Sequence, residues 1–252
     1  CLGLKSVLFA TLMPQSSILY FITKLYQICR FGSIQKLDIG ALFVYNIIMF
    51  LFSVYNKFKK RKWSKLDNAQ KIKVLEKVEK KFAKKLGRQI LPLHIVYDPN
   101  WQCYGMFENV NGKSILHLNS NLLDDDDLRF HALETIIHEG RHAYQHEVIT
   151  KKRLGFFNFK ARAWKQNYQG YTRSAEDRAL YSMQPIERDA QKYTIKQMQK
   201  FEYRFKNDED YKRTMHQLVY RYDKSEQELK EKHGLFYRRY IKKRMNEKAK
   251  DY

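Results

Sequence analysis

Apolar residues recur at three- and four-residue spacing across positions 66–87 (LDNAQKIKVLEKVEKKFAKKLG), with basic residues between them. That spacing predicts an amphipathic helix, and Gly87 closes it. The pattern then changes to short apolar runs. LHIV at 93–96 follows Pro92 and reads as a strand. Positions 104–107 and 114–119 read as two more, joined across 108–113 (ENVNGK), whose Asn-Gly pair signals a hairpin. Four consecutive aspartates, Asp124 to Asp127, precede a second helical pattern over 128–150. They suit a helix N-terminus, where carboxylates meet the positive end of the helix dipole, and they lack the ligand spacing and glycine of a calcium loop. A polar and aromatic connection containing Trp164 leads to a third helix opening at Pro185, a residue whose missing N–H costs nothing in the first turn. Positions 207–252 are charged and helical in pattern, interrupted at Gly234. Helices and strands of this kind in one chain predict an α+β fold.

Ahead of these elements charge nearly vanishes. Residues 1–56 carry only Lys5, Lys24, Arg30, Lys36 and Asp38, and two 18-residue windows, 6–23 and 39–56, carry none. Each approaches the ~20 residues that cross a bilayer core. The second is the stronger candidate because it is richer in Phe, Ile and Leu and lacks the proline found at Pro14 in the first. KFKKRKWSK follows it, a basic cluster with Trp63 that reads as a cytoplasmic flank with an interfacial aromatic. Residues 1–60 are therefore expected to form a hydrophobic segment with one or two anchoring helices. A buried hydrophobic hairpin, or translation from upstream of Met49, are the alternatives, and a chain that begins at Cys1 also fits a fragment or a processed product. The rest divides into a domain over 61–205 and a basic helical tail over 206–252.

Composition narrows the classes. The chain has 252 residues, 48 Lys+Arg against 27 Asp+Glu, and a net charge of +21. With 44% apolar residues it can bury a core and is not a disordered chain. Three cysteines, Cys1, Cys29 and Cys103, make neither a disulfide framework nor a CxxC zinc ribbon. The excess of positive charge suits nucleic acid or lipid headgroups. It concentrates over 57–88, where 14 Lys/Arg stand against Asp67, Glu76 and Glu79. Beside an apolar run, that density fits lipid headgroups better than nucleic acid, for which no helix-turn-helix or finger pattern is present.

The chemistry concentrates in ETIIHEGRHAYQH, positions 134–146, which contains His138-Glu139-Gly140-Arg141-His142. On a helix, residues four apart stack on one face, so both imidazoles can reach one zinc ion while Glu139 projects beside them as a general base. A catalytic zinc takes three protein ligands and keeps one position open. His146 is too far to be the third, lying about 12 Å from His138 along the axis at ~1.5 Å per residue. The longer motif of the metzincins needs a glycine at 145 and a histidine at 148, where this chain has Gln145 and Val148. Cys103 is a weaker candidate, since the glycine-rich signatures that accompany an upstream cysteine ligand are absent. Glu187, in QPIERDA at the start of the third helix, is the best third ligand, with Asp189 placed to orient a histidine. Tyr181, Tyr193, Arg188 and His131 are the candidates for stabilising an oxyanion.

Tyr104-Gly105-Met106-Phe107, Ile115-Leu116-His117-Leu118-Asn119, ETIIHEGRHAYQ and YSMQPIERDA together resemble gluzincin-type zinc metallopeptidase domains of bacteria and their mobile elements, some of which serve as toxin or effector modules. The resemblance covers roughly residues 64–200. It implies a zincin-like fold with a small mixed sheet, an active-site helix and a second helix bearing the glutamate. It also implies His138, His142 and Glu187 as zinc ligands, Glu139 as general base, and an edge strand near 104–107 that holds an extended peptide. The expected protein is thus a zinc metalloendopeptidase acting on a peptide or protein substrate at the cytoplasmic face of a membrane. The competing readings are a non-catalytic basic protein that binds membrane surfaces or nucleic acid, and a metal or peptide binder without activity. An intact Glu139 speaks against the last.

Overall fold

The computed structural model describes residues 54–150 and 159–249. Contacts divide the chain into residues 1–55 and 56–252, and the second unit carries every element below. The expected anchoring windows, 6–23 and 39–56, lie outside the described residues except for the last three positions. Among the described residues no helix is long and apolar enough to cross a membrane.

The architecture is α+β, mostly helical, with one small mixed sheet. After a short helix α1 (Lys60–Trp63), α2 spans Asn68–Leu86. Its start is set by a capping box: the Asp67 carboxylate accepts the Gln70 N–H at 2.7 Å, and the Gln70 amide oxygen accepts the Asp67 N–H at 3.3 Å. Its end is Gly87 at φ +66°, a left-handed conformation that favours glycine. Val74, Leu75, Val78, Phe82 and Ala83 form the buried stripe that the sequence spacing implied.

Strands β1 (Leu93–Val96), β2 (Gly105–Val110) and β3 (Lys113–Asn119) follow. Their order is β1-β3-β2, with β1 parallel and β2 antiparallel to β3, so β2 is an edge. Asn111 and Gly112 both have positive φ, as a two-residue hairpin turn requires. One face of the sheet, carrying Leu116 and Leu118, is buried; the other carries His94, Met106, Glu108 and His117.

Beneath the buried face runs α4 (Arg129–Thr150), reached through α3 (Asn121–Asp124) and a 3-10 turn at Asp126–Leu128. The aspartate run caps and clamps this entry. Asp125 accepts the Asp127 N–H, Asp126 pairs with Lys71 at 2.8 Å, and Asp127 pairs with Lys60 at 2.5 Å. Ala132, Leu133, Ile136 and Ile137 of α4 are buried, and the helix packs against both α2 and the sheet. The helix is buried nearly all round in its first half, which is why it carries little amphipathic signal in sequence.

The remaining helices are α5 (Phe159–Gln169), α6 (Arg178–Met183), α7 (Pro185–Gln199), α8 (Glu202–Phe205), α9 (Glu209–His233) and α10 (Tyr237–Lys248). Pro185 sits at the start of α7, which packs across α4. Residues 209–248 are tied to the rest by both apolar and charged contacts. Tyr222, Leu229, Tyr237, Ile241 and Met245 close over Ala179, Leu180 and Met183. The guanidinium of Arg129, at the head of α4, is fully buried between Asp208 and Asp210 at 2.5–2.7 Å and the Phe58 carbonyl. Arg221 of α9 holds Glu134 of α4 at 2.6 Å.

Candidate metal centre

Two helices build the site. α4 presents His138 and His142 one turn apart, and α7 brings Glu187, in its first turn, across to meet them. His138 Nε2 and His142 Nε2 are 3.1 Å apart, and Glu187 Oε2 lies 3.3 Å from the first and 3.4 Å from the second. A tetrahedral ion with bonds of ~2.0–2.1 Å separates its ligand atoms by about 3.3–3.4 Å, so the triangle has the edge lengths of three ligands around one such ion. Glu187 is 2% exposed, and its Oε2 is buried without a hydrogen-bond partner. A buried carboxylate oxygen left in that condition is costly unless a cation satisfies it. Among the described residues this is the only set of three such side chains that converges. The residues therefore fit a tetrahedral divalent ion with N2O ligation.

Electrostatics point the same way. Burial works against charging His142, but the Glu187 carboxylate outweighs it and raises the imidazole to about 9. Burial likewise pushes Glu187 up, while His142 and His138 hold it well below the usual carboxylate range. The pocket thus favours positive charge beside Glu187, whether a proton or a metal supplies it.

Two of the three ligands are held from behind. Gln145, one turn beyond His142, donates its amide N–H groups to the Ile186 carbonyl and to Asp189 Oδ2, both at 3.0 Å. Its oxygen therefore accepts from His142 Nδ1 at 2.9 Å, which leaves the Nε2 lone pair facing the centre. Asp189 does not touch a histidine, contrary to expectation; it anchors Gln145 and receives Arg141 Nε at 2.7 Å. Tyr171 donates to Glu187 Oε1 at 2.5 Å and so turns Oε2 towards the imidazoles. Burial first, and then the Glu187 charge, raise the Tyr171 phenol far above its ordinary range, so it stays a donor.

Glu139 stands beside the triangle with its Oε2 accepting the Phe107 N–H of β2 at 2.8 Å. The sheet lies close on the helix here. A Cβ on Gly105 would meet Thr135 Cγ2 at 2.3 Å and approach Glu139 Cγ at 3.4 Å. Behind the motif, a Cβ on Gly140 would sit 2.5 Å from Arg88 Nη2. That guanidinium forms a fully buried pair with Glu79 at 2.6 Å, and Glu79 also accepts the Leu91 N–H. The glycine inside the motif is thus the groove in which this pair lies.

The other expected residues fall elsewhere. His146 lies a turn past His142, against the rings of Phe107 and Tyr168, and Cys103 is exposed outside the triangle. Among the oxyanion candidates, Tyr193 stacks with Arg141, His131 bonds Glu134 at 3.1 Å, and Arg188 acts on Tyr222. Only Tyr181 reaches the site, edge-on to Tyr171. Tyr168 joins it without having been singled out in the sequence. Burial, then the charges of Glu187 and Glu139, raise both phenols, so both stay protonated.

Comparison of the chain with protein-family models, with curated proteins and with solved structures finds no match in any of the three. The observations are those of the fold and the site: a mixed three-stranded sheet on a helix that presents two histidines four apart, faced by a carboxylate from a second helix.

Proposed function

We propose that the chain is a zinc-dependent metallopeptidase of gluzincin type, with His138, His142 and Glu187 holding the ion and Glu139 as general base. The observation that carries this reading is the buried, unpartnered Glu187 Oε2 facing two imidazole nitrogens at 3.3 and 3.4 Å, with Glu139 alongside. A bound zinc supplies a Lewis acid for the scissile carbonyl and brings the pKa of a water towards ~7. Glu139 would take a proton from the attacking water as the water oxygen bonds to the carbonyl carbon, and would return it to the amide nitrogen as the C–N bond breaks. The Phe107 N–H holds the carboxylate in place for both transfers. Tyr168 and Tyr181, kept protonated, are the donors at hand for the negative charge that develops on the carbonyl oxygen.

The substrate is an extended peptide added to β2. The Asn119 N–H bonds the Tyr104 carbonyl, so by alternation along an antiparallel ladder Gly105, Phe107 and Asn109 turn their backbone groups outward. Glu139 takes the Phe107 N–H, so a strand paired through Gly105 and Asn109 on either side of it lies over the base. On the same reading the apolar run at 39–56 and the basic cluster after it tether the domain at the cytoplasmic membrane face.

Glu139→Gln keeps shape and hydrogen bonding but cannot accept a proton. In the full chain it is expected to retain zinc while cleavage of an unbiased peptide library falls by ~10²–10⁴-fold. A Glu139→Gln protein that cleaves at the unmutated rate overturns the mechanism.

A further inference from the structure

The open face of the sheet carries a second pair of facing histidines. His94 of β1 and His117 of β3 are direct partners in the parallel register, so their side chains share a face, opposite the one that buries Leu116 and Leu118. Their Nδ1 atoms are 3.0 Å apart, with ring centroids at 5.1 Å and planes at 86°. The buried pair on α4 gives 3.1 Å, 4.7 Å and 78°. The two pairs are the same pinch, built once by helix spacing and once by strand register.

Two further features distinguish this pair from a chance contact. His117 Nε2 donates to Glu108 Oε2 at 2.9 Å, since an ionised carboxylate only accepts. That bond turns the His117 Nδ1 lone pair towards His94 Nδ1, whose proton an ion would replace, with His117 backed by a carboxylate as metal-ligating histidines are. Met106 of β2 is the register partner of His117, so His94, His117 and Met106 form one row across the three strands, with the Met106 side chain exposed. Imidazole nitrogens hold copper(II) more tightly than any other first-row divalent ion.

We propose that His94 and His117, backed by Glu108 and flanked by Met106, form a second, exchangeable site for copper(II) on the exposed face of the sheet. It is independent of the peptidase reading, and it differs from the buried centre in ligand number: two imidazoles with solvent filling the remaining positions. It binds its ion more weakly than three converging buried ligands do.

The test is a copper(II) titration of the full chain, first loaded with zinc, in a buffer that chelates copper weakly. One copper per chain is expected beyond what His94→Asn takes up, with nitrogen splitting in the electron paramagnetic resonance spectrum. His117→Asn loses the same equivalent. Glu108→Gln weakens it roughly 10- to 100-fold, the usual effect of removing a carboxylate behind a ligating histidine. These side chains are on the sheet surface, so far-UV circular dichroism and zinc content stay unchanged in each variant. The titration is repeated on His142→Ala, where the copper equivalent is expected to persist; this separates the outcome from any failure of the zinc site. Equal copper uptake by the unmutated chain and His94→Asn overturns the proposal, as does loss of the equivalent in His142→Ala.

Discussion

The two histidine pairs have nearly the same internal geometry and almost nothing else in common. His142 is buried and His138 half-buried, joined by a Glu187 oxygen that has no hydrogen bond of its own. His94 and His117 sit on an open sheet face, where the carboxylate of Glu108 stands behind one ring instead of completing the set. Burial is what changes the consequence. Inside, an unsatisfied carboxylate beside two imidazoles needs a cation, and the surrounding bonds from Gln145 and Tyr171 fix His142 and Glu187 for it. On the surface, water satisfies what the ion does not, so binding there is a matter of exchange.

The largest effect that separates the two pairs comes from His142→Ala. Zinc in the purified full chain is expected to fall from one per chain to none, with the copper equivalent at His94 and His117 intact. If both disappear together, the sites are not separate and the comparison breaks.

Next in size is the support behind the motif. Arg88→Ala leaves the Glu79 carboxylate buried and unpaired beneath Gly140. Breaking one side of a buried pair costs about 3–5 kcal/mol, and urea unfolding of the full chain followed by near-UV circular dichroism measures it. No equivalent support exists among the described contacts of the surface pair, so His94→Asn is expected to shift the same unfolding curve by less than ~0.5 kcal/mol. A loss below about 1 kcal/mol for Arg88→Ala contradicts the role assigned to that pair.

Smaller again are the changes to the bonds that orient ligands. Gln145→Leu removes the partner of His142 Nδ1, and zinc affinity is expected to drop roughly 10- to 100-fold while the folded chain persists. Tyr171→Phe frees Glu187 Oε1 and acts in the same direction, measured by competition with a chromogenic chelator. Unchanged affinity in both variants shows that these bonds pack the site without tuning it.

The same contrast shows what could be read from sequence. His138 and His142 were legible because helix geometry turns a spacing of four into a shared face, and nothing distant has to be known. The elements around them were legible for similar local reasons: Asp67 and Gly87 bound α2, Asn111 and Gly112 turn the hairpin, and Pro185 opens α7. His94 and His117 are 23 positions apart, and only the β1–β3 register puts them in contact. A shift of one residue would put one of them on the other face. Long-range packing also hid Tyr171, which lies in a connection without periodicity, and Arg129, whose charge gave no hint of burial between Asp208 and Asp210. Gln145 carries a local signal, since a residue three beyond His142 shares its face.

Metal content is the most direct test of the central claim that His138, His142 and Glu187 hold a catalytic zinc. Elemental analysis of the purified full chain is expected to give one zinc per chain for the unmutated protein and for Glu139→Gln, and none for Glu187→Gln. A folded, unmutated chain without stoichiometric zinc after incubation with the ion, or a Glu187→Gln chain that keeps it, contradicts the account.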